Sequence, residues 1–278
     1  MAHPSPETVV ALVDSVRASG KYSTIAPQLI AHLVEIELEK RQRPKEVVKA
    51  VKNRLHQVVG AYADVRPRYG EWLKLLGGAE TPEALRVACR TIMEGHASSR
   101  ERLGMLEEFY TTLLGDLPPI HSVIDVACGL NPLAIPFMPL MPDARYLAVD
   151  VMTDLMAFLG EAIRLVGMQS EVQVGDVTRA MPSHQADVAL VIKAIPCLQQ
   201  IDRTVGIGLI EALLARCVIV SYPVRSLGGN EKGMRAHYAD AFNSLVDGKG
   251  WQVERFDFAD ELAFRIIKPT MIDPLPRV

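Results

Sequence analysis

The chain has 278 residues, 49% hydrophobic and 23% charged, with a formal net charge of −3. This bounds it to a globular protein of one large or two ordinary domains, and the balance of charge gives no global case for nucleic-acid binding. The four cysteines, Cys89, Cys128, Cys197 and Cys217, form no C-x-x-C pair and lack accompanying His spacing, so structural zinc and a disulfide framework are not expected and a cytoplasmic setting fits.

The N-terminal MAHPSPETVV lacks a basic-then-apolar leader pattern, and the apolar runs near 130–142 and 186–198 are cut by Pro or Lys well short of a membrane span. No membrane and no metal are expected. Residues 5–115 read as helix. Val9, Val10, Leu12, Val13 and Val16 form one stripe, and Ile25, Leu29, Ile30, Leu33, Val34, Ile36 and Leu38 a second. Val47, Val48, Val51, Leu55, Val58 and Val59 form a third at the three-and-four spacing of one helical face. Residues 66–78 are less regular, with Pro67, Gly70, Gly77 and Gly78 as breakers, and a helix from about Pro82 to Met93 follows. Ser98 with Glu101 predicts a capping box opening a helix to about Leu114, and Leu117-Pro118-Pro119 marks a boundary.

From Ile120 the rhythm alternates. Strands are predicted at 120–126, 145–149, 171–175, 187–192, 216–222, 250–257 and 262–268, with helices at 153–166, 198–215 and 234–247. Alternation argues a mostly parallel sheet covered on both faces, and the last two strands read as a closing hairpin. The expected fold class is α/β: a Rossmann-like seven-stranded sheet of the S-adenosylmethionine-dependent methyltransferase type, preceded by an all-helical N-terminal domain. The expected division is 1–95 and 96–278.

The centre of this plan is IHSVIDVACGLNPLA, residues 120–134. A buried strand ends at Val126, turns at Ala127-Cys128-Gly129, and Asn131-Pro132 signals a helix start. A dinucleotide site wants G-x-G-x-x-G for its pyrophosphate, and only Gly129 is present. S-adenosyl-L-methionine carries no phosphate and needs one close approach at Gly129 and a carboxylate for its ribose, which Asp150 supplies after Tyr146–Val149. Asp176, ending the next strand, or its neighbour Val177, is placed to meet adenine. The competing reading makes Asp125, Asp150 and Asp176 ordinary strand-end caps.

HASSRERL (96–103), DVACGLNPLA (125–134), Ile192–Pro196 and SYPVRSLGGNEKGM (221–234) occur in order. With RLHQVVGAYAD (54–64), they resemble motifs of the aminoglycoside-resistance methyltransferases of 16S ribosomal RNA. Those enzymes modify N7 of a decoding-region guanine, guanine 1405. The resemblance runs from about residue 10 to 268. It implies a cofactor pocket lined by Tyr62, His96, Ala97, Ser98 and Arg102 from the helical part. From the sheet it implies Ala127, Gly129, Asp150, Asp176, Val177, Ile192 and Gln200. Arg102 suits the methionine carboxylate. The implied product is S-adenosyl-L-homocysteine and the implied partner the small (30S) ribosomal subunit. No general base is expected, because guanine N7 is a lone-pair acceptor; Lys193 and Arg225 are expected to position the substrate.

RNA affinity rests on phosphate contacts. The densest basic stretch is Lys40, Arg41, Arg43, Lys45, Lys49, Lys52 and Arg54, counted against Glu46 alone. With Arg225, Lys232 and Arg235 it forms the expected RNA-binding set; the plainer reading is a solvated helix face and loop. Two other functions stay open: a methyltransferase of another RNA position or a small molecule, and a non-catalytic RNA-binding protein of the same fold.

Overall fold

The computed structural model describes residues 5–58, 67–224 and 233–269. The chain opens with α1 (Pro6–Arg17), α2 (Pro27–Leu38) and α3 (Pro44–Val58). Each begins on a proline, whose missing N–H costs nothing in the first turn. Ser5 caps α1 by accepting the Thr8 N–H, and α3 buries Val47, Val51, Leu55 and Val58 along one stripe. Then come α4 (Tyr69–Gly77), α5 (Pro82–Met93), α6 (Ala97–Arg102) and α7 (Leu106–Leu114).

The sheet half comprises β1 (Ile120–Val126), β2 (Leu140–Asp150), α8 (Thr153–Leu165), β3 (Gln169–Val174), β4 (Ala186–Ile192), α9 (Ile195–Ile201), α10 (Val205–Ala212), β5 (Ala215–Pro223), α11 (Met234–Val246), β6 (Gln252–Asp257) and β7 (Glu261–Ile267). The order across the sheet is β3-β2-β1-β4-β5-β7-β6. The first five strands pair in parallel and β7 pairs antiparallel with β5 and β6. All seven predicted strands are present. Strand order reverses between β1 and β4, the position where open α/β sheets leave a crevice at the strands' carboxyl ends.

Side chains alternate across the sheet. Ile124, Val126, Ala189, Val191, Val218 and Val220 face a core shared with α1–α3 and α9–α11. Val123, Val188, Leu190, Ile192, Cys217 and Ile219 face a second core shared with α4, α5, α7 and α8. The helices before β1 thus divide between the two faces of the sheet. The N-terminal segment is also tied to the loop after β2: Ala26 N donates to Val151 O and Thr153 N to Thr24 O, both at 2.8 Å, flanking a bridge from Ile25 to Met152.

Four local expectations are corrected. After Gly129 the chain forms a 3-10 helix, Asn131–Phe137, containing Pro136, in place of an α-helix; a proline inside that turn cannot supply the α-helical hydrogen bond. The predicted helix 198–215 is two helices, because Asp202 folds back to accept the Thr204 N–H and hydroxyl at 2.8 Å. The Ser98–Glu101 capping box does not form. His96 occupies the cap position without making a capping hydrogen bond to the helix, and a 3-10 turn at Leu103–Met105 separates α6 from α7. The irregular 66–78 stretch contains α4, whose Tyr69 and Trp72 rings pack on Phe158 of α8 at 5.0 and 5.6 Å.

Candidate active site

One pocket opens at the carboxyl ends of β1, β2, β3 and β4. Of the residues predicted for it, His96, Ser98, Arg102, Ala127, Gly129, Asp150, Asp176, Val177 and Ile192 line it together, with Lys193 beside them. Leu29, Leu198 and Ile201 add apolar walls from α2 and α9. Tyr62 lies outside the described residues.

Two predicted members are not in it. Gln200 is exposed and lines a separate cleft beside Lys40 and Arg54, because α9 turns Cys197, Leu198 and Ile201 to the pocket and Gln200 away. Ala97 is half-buried at the start of α6 and does not reach the pocket wall, which takes Ser98, Ser99 and Arg102 from that helix.

The backbone around the pocket is held in sparsely populated conformations. Among the described residues, the non-glycine residues with left-handed φ are Ala127 at 50° and Lys193 at 54°, and Gly129 has φ 51°. All three line the pocket, and strain of this kind concentrates at working sites. Asp150 holds the first turn closed. Its Oδ2 accepts the Gly129 N–H at 3.0 Å, and its Oδ1 accepts those of Val151 at 2.7 Å and Met152 at 3.2 Å. Burial nevertheless raises its pKa, the backbone bonds opposing only part of that.

Beneath the pocket runs a buried polar network. Arg102 Nε and Nη2 donate to the two oxygens of Glu261, each at 3.0 Å, and Nη1 donates to Asn131 Oδ1 at 2.9 Å. Asn131 Nδ2 donates to Asp125 Oδ2 at 2.9 Å, which also accepts the Tyr146 hydroxyl at 2.7 Å. Asn131 is therefore a buried linker and not the helix cap expected from its place before Pro132. Lys193 is 3% exposed, and its Nζ bonds the Ser98 carbonyl at 3.3 Å and Glu101 at 2.7 Å and lies 3.3 Å from Glu261. The ammonium expected in the crevice is thus already engaged. Burial pushes the Glu261 carboxyl up, but Arg102 and Lys193 outweigh it and hold it below the usual carboxylate range.

The expected basic surface is thinner than its count suggested. Arg41 and Arg54 both pair with Glu37, which is 4% exposed beneath them and lies three positions before the basic stretch begins at Lys40. Arg43 pairs with Glu46 at 3.4 Å. Lys40, Lys45 and Lys49 are exposed, and Lys52 is half-buried. Arg235 is committed elsewhere: it donates to the carbonyls of Phe258 at 2.5 Å and Ala259 at 2.8 Å and lies 3.3 Å from Asp257, tying α11 to the last hairpin. Arg225 and Lys232 lie outside the described residues.

Three positions bonded to the pocket's polar residues have no such role in the sequence pattern: Asn131, Glu261 and His32, whose Nδ1 meets Asp176 Oδ2 at 2.9 Å. The available signal was polarity out of place, an acid opening the apolar strand ELAFRII and a histidine inside the Leu29–Leu33 stripe.

The pocket fits a ligand with hydroxyl donors and a largely apolar body. Asp150 retains one acceptor site on Oδ2 after its three backbone bonds, and Val177, Ile192, Leu198 and Ile201 are apolar. It does not suit a pyrophosphate, since the carboxylates of Asp150 and Asp176 line it and Gly129 is the one glycine of its first turn. Among the described residues no group of acidic, His and Cys side chains is placed to hold a metal, and no helix is long and apolar enough to cross a membrane.

The sequence model of the ribosomal RNA methyltransferase (FmrO) family matches residues 18–265. The chain is 38% identical over 257 residues to the 16S rRNA (guanine(1405)-N(7))-methyltransferase of Frankia casuarinae, covering 90% of each protein. It is 33% identical over 262 residues to the enzyme of the same name from Micromonospora rosea, covering 92% of this chain and 96% of that one. The crystal structure of 16S rRNA methyltransferase RmtF in complex with S-adenosyl-L-homocysteine superposes with a TM-score of 0.80 at 28% identity, over 96% of this chain and 100% of that one. The 16S rRNA methylase RmtB gives 0.77 at 26% identity, over 95% and 100%.

Proposed function

This chain belongs to the ribosomal RNA methyltransferase (FmrO) family, and from that premise we propose that it transfers a methyl group from S-adenosyl-L-methionine to N7 of guanine 1405 of 16S ribosomal RNA, the reaction for which its relatives are named. The proposed substrate is the small ribosomal subunit, the product is S-adenosyl-L-homocysteine, the setting is the cytoplasm, and the consequence is aminoglycoside resistance. The observation that carries this reading is the 38% identity to the Frankia enzyme across 90% of both chains.

The bound cofactor supplies an electrophilic methyl group. Guanine N7 presents a lone pair on the major-groove edge and has no proton to lose. The protein's work is then to align and to exclude water, not to deprotonate. Asp150 keeps the turn folded about Gly129, and the acceptor site left on its Oδ2 takes a ribose hydroxyl. Arg102 uses three of its five N–H groups on Glu261 and Asn131, leaving two at the pocket wall for a carboxylate. Lys193 secures the Ser98 backbone and thereby one wall of the pocket. A guanine inside a duplex must leave its stack to reach such a pocket.

The helical part, residues 1–95, is assigned to RNA docking. Its exposed cations Lys40, Lys45 and Lys49 would meet backbone phosphates, joined by Arg225 and Lys232 from the segment after β5. Incubating the protein with isolated small subunits and methyl-labelled S-adenosylmethionine tests this. Label in 16S ribosomal RNA is expected, and label confined to free small molecules would contradict it.

A further inference from the structure

His32 comes from α2, yet it completes a group at the end of β3. It is 8% exposed and sits among the helix's apolar residues. Its Nδ1–H donates to Asp176 Oδ2 at 2.9 Å across 144 positions of sequence. The other carboxylate oxygen, Oδ1, accepts the Thr178 backbone N–H at 3.0 Å and the Thr178 hydroxyl at 2.6 Å. The loop after β3 therefore supplies donors to one oxygen, and the helical part of the chain supplies the donor to the other.

Asp176 lines the pocket beside Val177. Burial pushes its carboxyl up, but the bonds from His32 and Thr178 outweigh that and hold it below the usual carboxylate range. A carboxylate offers only acceptors. A pocket wall that presents one selects a ligand edge carrying N–H and rejects an edge carrying a carbonyl. Selection of this kind depends on orientation, and a carboxylate fixed at one oxygen only can turn about its Cβ–Cγ bond. The imidazole is itself fixed, because the residues just before α2 are hydrogen-bonded to the loop after β2 at 2.8 Å.

We propose that His32 is a positioning residue for recognition of the cofactor's base: it locks the Asp176 carboxylate in the orientation that accepts the exocyclic amino group of adenine. This rests on the reading that the pocket binds S-adenosylmethionine. It also makes one side chain of the docking helices a determinant of cofactor choice, so the two parts of the chain are joined at the base-recognition edge.

The test is calorimetric titration of the full chain with S-adenosyl-L-homocysteine and with S-inosyl-L-homocysteine, in which a carbonyl replaces the amino group. The unaltered protein is expected to favour the adenosyl compound by about tenfold or more, the range of one hydrogen bond set against one unpaired group. His32→Phe keeps a ring and removes the donor. It is expected to lose on the order of tenfold for the adenosyl compound and little for the inosyl one. His32→Asn, whose amide nitrogen stands where Nδ1 stood, is expected to restore the preference.

Equal weakening of both ligands in His32→Phe would make the residue a packing element and overturn the proposal, as would an undiminished adenine preference. If the Phe variant does not fold, His32→Leu carries the same comparison. Failure of the unaltered protein to bind S-adenosyl-L-homocysteine is a separate result, and it overturns the cofactor reading and this proposal together.

Discussion

Arg102 and Glu261, 159 positions apart in sequence, meet as a buried bidentate pair with both bonds at 3.0 Å. Their side chains are 1% and 0% exposed. The pair joins α6 to the first residue of β7, and Lys193 at the end of β4 approaches the same carboxylate at 3.3 Å. Cation and anion are both out of water, so neither tolerates loss of the other. Glu261→Gln is expected to destabilise the protein by about 3–5 kcal/mol, the cost of stranding a buried charge, and to weaken cofactor binding by releasing Arg102. Urea unfolding measures the first; a loss below about 1 kcal/mol would mean the pair is not the anchor described here.

Asp150 makes a different kind of prediction, because its carboxylate organises backbone. Asp150→Ala strands the N–H groups of Gly129, Val151 and Met152 and removes the ribose acceptor. It should lower stability by roughly 1–3 kcal/mol and lower cofactor affinity by at least tenfold. Calorimetric titration showing unchanged affinity would remove Asp150 from the pocket assignment.

Asp125 should set a pH dependence. Burial raises its carboxyl to about 7, with Asn131 and Tyr146 opposing, and its Oδ1 has no hydrogen-bond partner among the described residues. An unfolded chain titrates this group near about 4. Between those values the folded state holds a proton that the unfolded state has released. Stability from this group is therefore present at low pH and declines as pH rises toward 7, by up to about 1.4 kcal/mol per unit.

Asp176 and Glu261, held below the usual range, act oppositely and lose their contribution as pH falls through the carboxylate range. Asp150 is raised and adds to the decline, so the measurement is a difference. Unfolding free energies from pH 5 to 8 should decline less steeply in Asp125→Asn than in the unaltered protein. Identical slopes would contradict the assignment.

The docking assignment concerns Lys45 and Lys49, both exposed on α3. Changing both to Glu should weaken binding to small subunits and reduce the slope of log K against log salt by about two, while cofactor affinity stays unchanged. A fall in cofactor affinity with an unaltered salt slope would tie Lys45 and Lys49 to the pocket, which α3 reaches at Val58, instead of to the RNA.

The strands were legible because each is a short apolar run between breakers; β1 has the predicted limits, 120–126. Gly129 and Asp150 were legible because β1 and β2 are parallel neighbours whose carboxyl ends lie side by side at the crevice. What sequence could not show were partnerships that close only in three dimensions. Nothing local to Arg102 names Glu261, and nothing local to Asp176 names His32. The charge count misjudged the basic stretch for the same reason: Glu37, one turn before Arg41, is buried under it and engages both Arg41 and Arg54. Asn131 read as a cap because Asn-Pro so often starts a helix, while its side chain was needed between Asp125 and Arg102.

The proposed reaction alters one atom of one nucleotide. Methylation at N7 leaves guanine labile to borohydride reduction and aniline cleavage, so small subunits incubated with the protein and S-adenosylmethionine can be treated this way and the 16S RNA read by primer extension. A single new stop is expected, immediately 3′ of guanine 1405, dependent on cofactor and absent from Asp150→Ala. Incorporated methyl without strand cleavage, or cleavage at another guanine, would contradict it.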